Sequence, residues 1–253
     1  MTRFQPTVLR FESIDSTNLE AMRQARAGAP EGLCIVARQQ THGRGRQGRE
    51  WFSAKDAGLY LTIVLRPQIE MIAWPLITLM SALAVADILK DACSISADIK
   101  WPNDLIVGER KICGILCETV DTEAGHAVVV GIGINLYHES FLSEVSGTSV
   151  EQETGLKPDF EVVLNELLSA IGRRYALLET NRGSQQTIEE WSARSSYSRG
   201  KRVRVEAGSE AWEGVTDGLE NDGALRLRLE SGEIRVVRAG DVRSLRPNDE
   251  LST

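Results

Sequence analysis

The stretch Gln39-Gln40-Thr41-His42-Gly43-Arg44-Gly45-Arg46-Gln47-Gly48-Arg49-Glu50-Trp51 follows an apolar run, Leu33 to Arg38, that reads as a strand. Glycines and guanidiniums alternate in it. Gly43, Gly45 and Gly48 permit positive φ and close backbone approach, and Arg44, Arg46 and Arg49 offer fork-shaped donors matched to carboxylate or phosphate oxygens. A strand feeding such a loop suits an α/β scaffold that wraps an anionic ligand. The loop is neither a P-loop nor a dinucleotide fingerprint, because the Gly-Lys-Ser/Thr ending is absent and the glycine spacing is wrong. An exposed Arg/Gly segment of the RNA-binding kind is the other reading the loop allows by itself.

Outward from the loop, strands and helices are mixed as far as Tyr197. Glu31 to Arg38, Leu59 to Arg66 and Ala127 to Ile134 read as strands, and Pro75 to Lys90 as a helix with Pro in its first turn. A further helix is expected from Asp159 to Leu178, lined by Val162, Val163, Leu167, Ile171, Leu177 and Leu178. After Gly200 the pattern changes to short alternating runs, Val203 and Val205, then Leu225, Leu227 and Leu229, with turn signals at Asn221-Asp222-Gly223 and Ser231-Gly232. The expected fold class is α/β (α+β), with a mixed-sheet domain over 1–197 and a small β-barrel over 198–253.

The whole chain has 253 residues, 29 Lys plus Arg against 36 Asp plus Glu, and a net charge of -7. That balance lacks the long-range positive field of a general nucleic-acid binder, so any anion site must be a local cluster. The β-rich part is no exception, with ten basic and eleven acidic residues from 198 to 253. Met1 to Arg10 holds no apolar run of signal-peptide length. The apolar stretch Met71 to Leu89 is broken by Pro75, Thr78, Ser81 and Asp87, as in a buried helix rather than a membrane span. Cys34, Cys93, Cys113 and Cys117 lack metal-ligand spacing and read as reduced core residues of a cytoplasmic protein.

Three more segments carry polar groups where packing alone needs none. Lys100-Trp101-Pro102-Asn103-Asp104 reads as a turn at a strand end, and Lys111 stands at the mouth of a strand that continues through Gly114. Gly131-Ile132-Gly133-Ile134-Asn135 ends a strand with two glycines on one face, which invites close approach. Asp15-Ser16-Thr17-Asn18 looks like a helix N-cap, although one hydroxyl would suffice for that.

In this order, these motifs and the Gly43 to Trp51 loop closely resemble those of biotin protein ligases, in a form lacking the N-terminal DNA-binding domain. The resemblance runs over most of the chain. It implies a mixed-sheet catalytic domain followed by an SH3-like barrel, and a two-step reaction. Biotin and ATP with Mg²⁺ give biotinyl-5′-AMP, whose acyl group passes to a lysine of the biotin carboxyl carrier domain of a carboxylase. Lys111 and Arg46 then fall beside the reacting carboxylate and phosphate, and Asp104 is the candidate for helping the acceptor lysine lose its proton, with metal-positioning and structural roles left open. Such help is needed because an amine of pKa about 10.4 is only ~0.1% free base near neutral pH.

Ser16, Thr17, Asn18 and Gln39 match the family's positions for the ureido ring. Gly43, Arg44, Arg46 and Arg49 belong to the loop that orders over the ligand. Gly114, Gly131 and Gly133 match positions of close backbone approach, Asn103 a position near the phosphate, and Asn135 one on the adenylate side. Trp51 and Trp101 are expected as packing anchors, Trp51 beside the pocket, and Arg246 matches a position reaching back toward the nucleotide. The metal ligands are unknown. Only fourteen residues precede Asp15, so a DNA-binding domain, and hence a DNA partner, is not expected. Homodimerisation through the sheet edge is known in the family and is left open by this sequence. A lipoate ligase is the nearest enzymatic alternative.

Overall fold

The computed structural model describes residues 4–138 and 146–245. The first part is built on a seven-stranded sheet of order β1 (Thr7–Phe11), β2 (Leu33–Ala37), β3 (Gly58–Leu65), β7 (Gly125–Asn135), β6 (Arg110–Thr122), β5 (Asp104–Val107), β4 (Asp98–Lys100). β1 runs parallel to β2 and the remaining neighbours are antiparallel, so the sheet is mixed as expected.

Period-2 alternation sends successive residues of these strands to opposite faces. Cys34, Val36, Leu59, Leu61, Ile63, Val128, Val130, Ile132 and Ile134 join one large core with α2 (Pro75–Asp91), α4 (Phe160–Leu178) and α5 (Gly183–Arg194). Leu33, Ile35, Val64, Ala127 and Val129 face the other way, against Ala21, Met22 and Ala25 of α1 (Thr17–Arg26). α1 is only 10 residues long and leaves part of its face of the sheet uncovered. The site forms there.

α2 is buried nearly all round because it lies between the sheet and two further helices, which accounts for the apolar run of Met71 to Leu89. No helix among the described residues is long and apolar enough to cross a membrane. Its one mid-helix charge, Asp87, takes Arg174 at 2.6 Å and Arg194 at 2.6 Å, so a single carboxylate pins α4 and α5 to α2. Burial alone would raise the Asp87 carboxyl; the two guanidiniums outweigh it and hold it below its ordinary value. On α4, Val162 is 51% exposed, contrary to expectation; the stripe is centred on Val163, Leu164, Leu167, Leu168, Ile171, Tyr175 and Leu178, one helical step of ~100° away. α3 (Val150–Thr154) is a single short turn capped by Ser149, whose hydroxyl accepts from the Gln152 amide.

The expected β-rich part is a five-stranded antiparallel sheet of order β11 (Ile234–Val237), β10 (Leu225–Arg228), β9 (Glu210–Leu219), β8 (Arg199–Ala207), β12 (Asp241–Ser244). Its turns fall where Asn221-Asp222-Gly223 and Ser231-Gly232 put them. The sheet is seated on the first part through Trp101, 2% exposed, whose Nε1 donates to the Gly223 carbonyl at 3.0 Å.

Leu83, fully buried at the centre of α2, will cost about 2–5 kcal/mol when replaced by Ala, read as a lower urea midpoint at unchanged m-value. The depressed Asp87 pKa means that its contribution is present above the unfolded value of about 3.9 and is lost as pH falls through the lower folded value. The wild type will therefore lose stability below about pH 4 more steeply than Asp87→Asn, in paired urea titrations.

Candidate active site

The uncovered part of the α1 face holds a cavity of about 350 Å³, within the range of small-ligand sites. At one end lie Ser16, Thr17, Asn18 and Gln40. The Thr17 amide and hydroxyl both donate to Gln40 Oε1, at 2.8 and 2.9 Å, and Gln40 Nε2 donates to Ser53 Oγ at 2.7 Å. Thr62 Oγ1 donates to Asn18 Oδ1 at 2.7 Å, and Asn18 Nδ2 donates to Glu118 Oε2 at 2.9 Å and to the Leu116 carbonyl at 3.2 Å. Ser16 occupies the N-cap position of α1 yet makes no capping bond; its Oγ is buried without a partner among the described residues. A buried hydroxyl left unmatched costs about 1–3 kcal/mol, so this end is built to receive a polar group.

The floor runs along Gly131 and Gly133 on β7 and Gly114 on β6, with Gly114 paired to Gly133. A Cβ at Gly131 would lie 2.1 Å from Asn18 Oδ1, and one at Gly133 would lie 2.5 Å from the Trp51 indole. The glycines are therefore needed for approach to this face. Trp51 lies across Gly114 and Gly133 with its Nε1 buried and unpartnered among the described residues, and Lys111 Nζ stands 5.1 Å from its ring centroid.

The far end is cationic. Lys111 Nζ pairs with Asp104 Oδ1 at 2.6 Å, and Arg46 Nη1 donates to Asn103 Oδ1 at 3.3 Å and to the Gly240 carbonyl at 3.1 Å. Asn103 is itself fixed, donating to the Ile115 carbonyl at 2.7 Å. Burial pulls the Arg46 guanidinium below its ordinary value, while Asp241 and Asp104 oppose that shift; the group stays a cation. Arg44 pairs with Glu118 at 3.0 Å, and Arg49 pairs with Asp241.

The cavity wall thus gathers Ser16, Thr17, Asn18, Arg44, Arg46, Arg49, Trp51, Asn103, Asp104, Lys111, Gly114, Gly131 and Gly133 of the expected residues. Three expected residues lie off that wall. Gln40, not Gln39, faces the cavity, because adjacent residues of an extended chain point to opposite sides. Gly43 is not part of the wall; a Cβ there would meet the Trp51 carbonyl. Asn135 is also outside, its amide donating to the Lys111 carbonyl at 3.2 Å and to the Thr148 carbonyl at 3.0 Å, so it holds the backbone that carries Lys111. Arg246 lies outside the described residues.

Glu118 and Asp241 were not legible in the sequence. Glu118 shares the Gly114 face of β6 by strand alternation, but it lies beyond the stretch that the sequence reads as strand. Asp241 comes from the second sheet, which no local pattern connects to the loop.

Residues 10–135 match the biotin/lipoate A/B protein ligase family, and residues 199–243 match the biotin protein ligase C-terminal domain. The chain is 37% identical over 237 residues to the biotin--[acetyl-CoA-carboxylase] ligase of Paracoccus denitrificans, covering 90% of this chain and 96% of that one. It is 33% identical over 234 residues to the bifunctional ligase/repressor BirA of Bacillus spizizenii, covering 90% of this chain and 71% of that protein. Among solved structures, the biotin protein ligase of Aquifex aeolicus in complex with biotin and ATP matches with a TM-score of 0.83 at 26% identity, over 96% of this chain and 100% of that one. The chain belongs to the biotin protein ligase family.

The tight cradle at Gly133 yields a direct test. Gly133→Ala will push the Trp51 ring off the floor, lowering affinity for the ligand about tenfold or more while changing folding stability by only ~1–3 kcal/mol. Isothermal titration with biotin beside thermal melting will separate the two effects.

Proposed function

We propose that this chain is an ATP-dependent biotin--[acetyl-CoA-carboxylase] ligase, and that the cavity carries both half-reactions. The observation that supports this best is the order of chemistry along one cavity. A polar end with an unmatched Ser16 hydroxyl suits a ureido ring, a glycine floor under Trp51 suits the bicyclic body and alkyl chain, and a cationic end suits a carboxylate meeting a phosphate.

In the first step a biotin carboxylate oxygen bonds to the α-phosphorus of ATP, the bridge to the β-phosphate breaks, and pyrophosphate leaves with the electron pair. Two anions must meet, so Arg46 and Lys111 lower the repulsion and stabilise the charge on the departing oxygen. Mg²⁺ would supply a counter-charge to the triphosphate. Among the described residues there is no group of three or more His, Cys, Asp or Glu placed to hold a metal. Asp104, paired with Lys111 in the cavity wall, is the carboxylate that would help hold it.

In the second step the ε-amine of a carrier-domain lysine attacks the acyl carbon, the bond to the phosphate oxygen breaks, and AMP leaves. Asp104 is already engaged with Lys111 at 2.6 Å, so its first task is to position that lysine. It becomes free to accept the amine's proton when Lys111 turns to the phosphate.

The biotin carboxyl carrier protein as partner, a cytoplasmic setting and a division of the chain at 197/198 belong to the same reading. The binding-module alternative is disfavoured by the loop itself. Arg44 and Arg49 are engaged by carboxylates and Arg46 by oxygen acceptors, so the segment is no free cationic tail for RNA.

Purified protein incubated with ATP, Mg²⁺ and either biotin or lipoate will form biotinyl-AMP and little lipoyl-AMP, detected by mass spectrometry. Lys111→Ala will form it on the order of 10²–10³ more slowly. Folded wild-type protein that makes neither adenylate would overturn the assignment, and lipoyl-AMP alone would replace biotin by lipoate.

A further inference from the structure

One line of strand partners crosses the cavity floor and ends on a lysine outside the cavity wall. Gly133 of β7 pairs with Gly114 of β6, Gly114 with Asp104 of β5, and Asp104 with Lys100 of β4. Ile99 and Leu105, next to Lys100 and Asp104 in the chain, belong to the core around α2. Strand alternation therefore turns Lys100 and Asp104 to the cavity face. Directly opposed residues of antiparallel strands have Cβ atoms about 4.5–5.5 Å apart. The stem of Lys100 thus starts beside the carboxylate that Lys111 holds at 2.6 Å.

Two ammoniums then address one carboxylate, and only Lys111 has the contact. Lys100 is half-buried, its Nζ 5.9 Å from the centroid of the Tyr197 ring, with Lys201 Nζ 4.0 Å from the same centroid. Burial pulls the Lys100 ammonium below its ordinary value; among the charges around it Asp104 opposes that shift most strongly, Lys111 adds to it, and Asp241 and Arg243 act more weakly with opposite signs. Lys100 and Lys111 repel each other across the carboxylate they share. An anion that draws Lys111 away relieves that repulsion and leaves Asp104 to Lys100.

We propose that Lys100 is a positioning residue for Asp104: it takes over the carboxylate when Lys111 turns to the phosphate. Asp104 then keeps its place on the floor beside an anionic ligand, and Lys111 is released at a smaller electrostatic cost. Lys100 acts through Asp104 and does not touch the ligand. This rests on the ligase reading for the adenylation step, but not for the pairing with Asp104.

The test follows single-turnover formation of biotinyl-AMP by mass spectrometry in the full chain as wild type, Lys100→Met, Lys100→Arg, Asp104→Asn and the double variant Lys100→Met/Asp104→Asn. At saturating biotin and ATP, Lys100→Met will slow the step about tenfold, the size of one partly buried charge pair, with KM for biotin unchanged. Lys100→Arg keeps the charge and will recover most of the rate. In the Asp104→Asn background, Lys100→Met will change the rate less than about twofold, because the carboxylate through which it acts is gone. A second readout needs no adenylate. Lys111→Ala strips Asp104 of its contact, and in that background Lys100→Met and Asp104→Asn will each lower the urea midpoint of ligand-free protein, the two together no further than the larger single effect.

A wild-type rate in Lys100→Met would overturn the proposal. So would a loss that persists equally in the Asp104→Asn background, which would make Lys100 a direct phosphate contact. Additive urea shifts would overturn it whether or not any adenylate forms. Wild-type protein that makes no biotinyl-AMP would sink the ligase reading alone, and the urea cycle would still decide the pairing. If Lys100→Met melts well below the wild type, Lys100→Gln takes its place in both measurements.

Discussion

The central sheet has one face filled with large side chains and the other left short of them where the site must be. β7 alternates Val128, Val130, Ile132 and Ile134 toward α2 with Ala127, Val129, Gly131 and Gly133 toward α1. On the first face the branched side chains supply most of the hydrophobic stabilisation of this part. On the second face the missing side chains at Gly114, Gly131 and Gly133 make the room that Asn18 and Trp51 enter. Because the strand period is 2, neither face can be altered by register without exchanging core for cavity. Stability and binding are carried by the same strands and separated only by which way each residue points.

Electrostatics is layered on this frame in small, local pieces. A chain of net charge -7 holds its cations at one rim by pairing each with an internal acceptor: Lys111 with Asp104, Arg44 with Glu118, Arg46 with Asn103 and the Gly240 carbonyl, Arg49 with Asp241. Partly exposed pairs of this kind contribute little to global stability, about 0–1 kcal/mol each. Their effect is orientational. They set flexible side chains over the cavity before a ligand arrives, which lowers the ordering cost at binding.

Much of the site was readable because its residues lie in short runs whose chemistry is local. Ser16-Thr17-Asn18, the Arg44 to Arg49 loop and Lys111 with Gly114 each carry their own signal, and the structure brings them to one cavity. The cavity wall departs from the sequence reading where the side-chain direction of a single residue matters. Gln39 and Gln40 are chemically identical, and only the chain's path after β2 decides which amide meets Thr17. Asn135 and Gly43 had the right type for a ligand contact, yet their neighbours use them to hold Lys111 and Trp51. Val162 failed for a similar reason, since an apolar residue one step off the stripe remains exposed.

By itself the sequence determined the mixed α/β class, the β-rich end, the buried nature of α2 and the family of motifs, because periodicity, turn chemistry and residue type act over a few neighbours at a time. Tertiary structure alone decided that Glu118 would join Asn18 to Arg44, and that Asp241 would meet Arg46 and Arg49 across more than 190 residues of chain. Such contacts depend on where two sheets dock. That docking is set by the summed burial of many apolar side chains and by anchors such as Trp101 on Gly223, so no short stretch of sequence contains it.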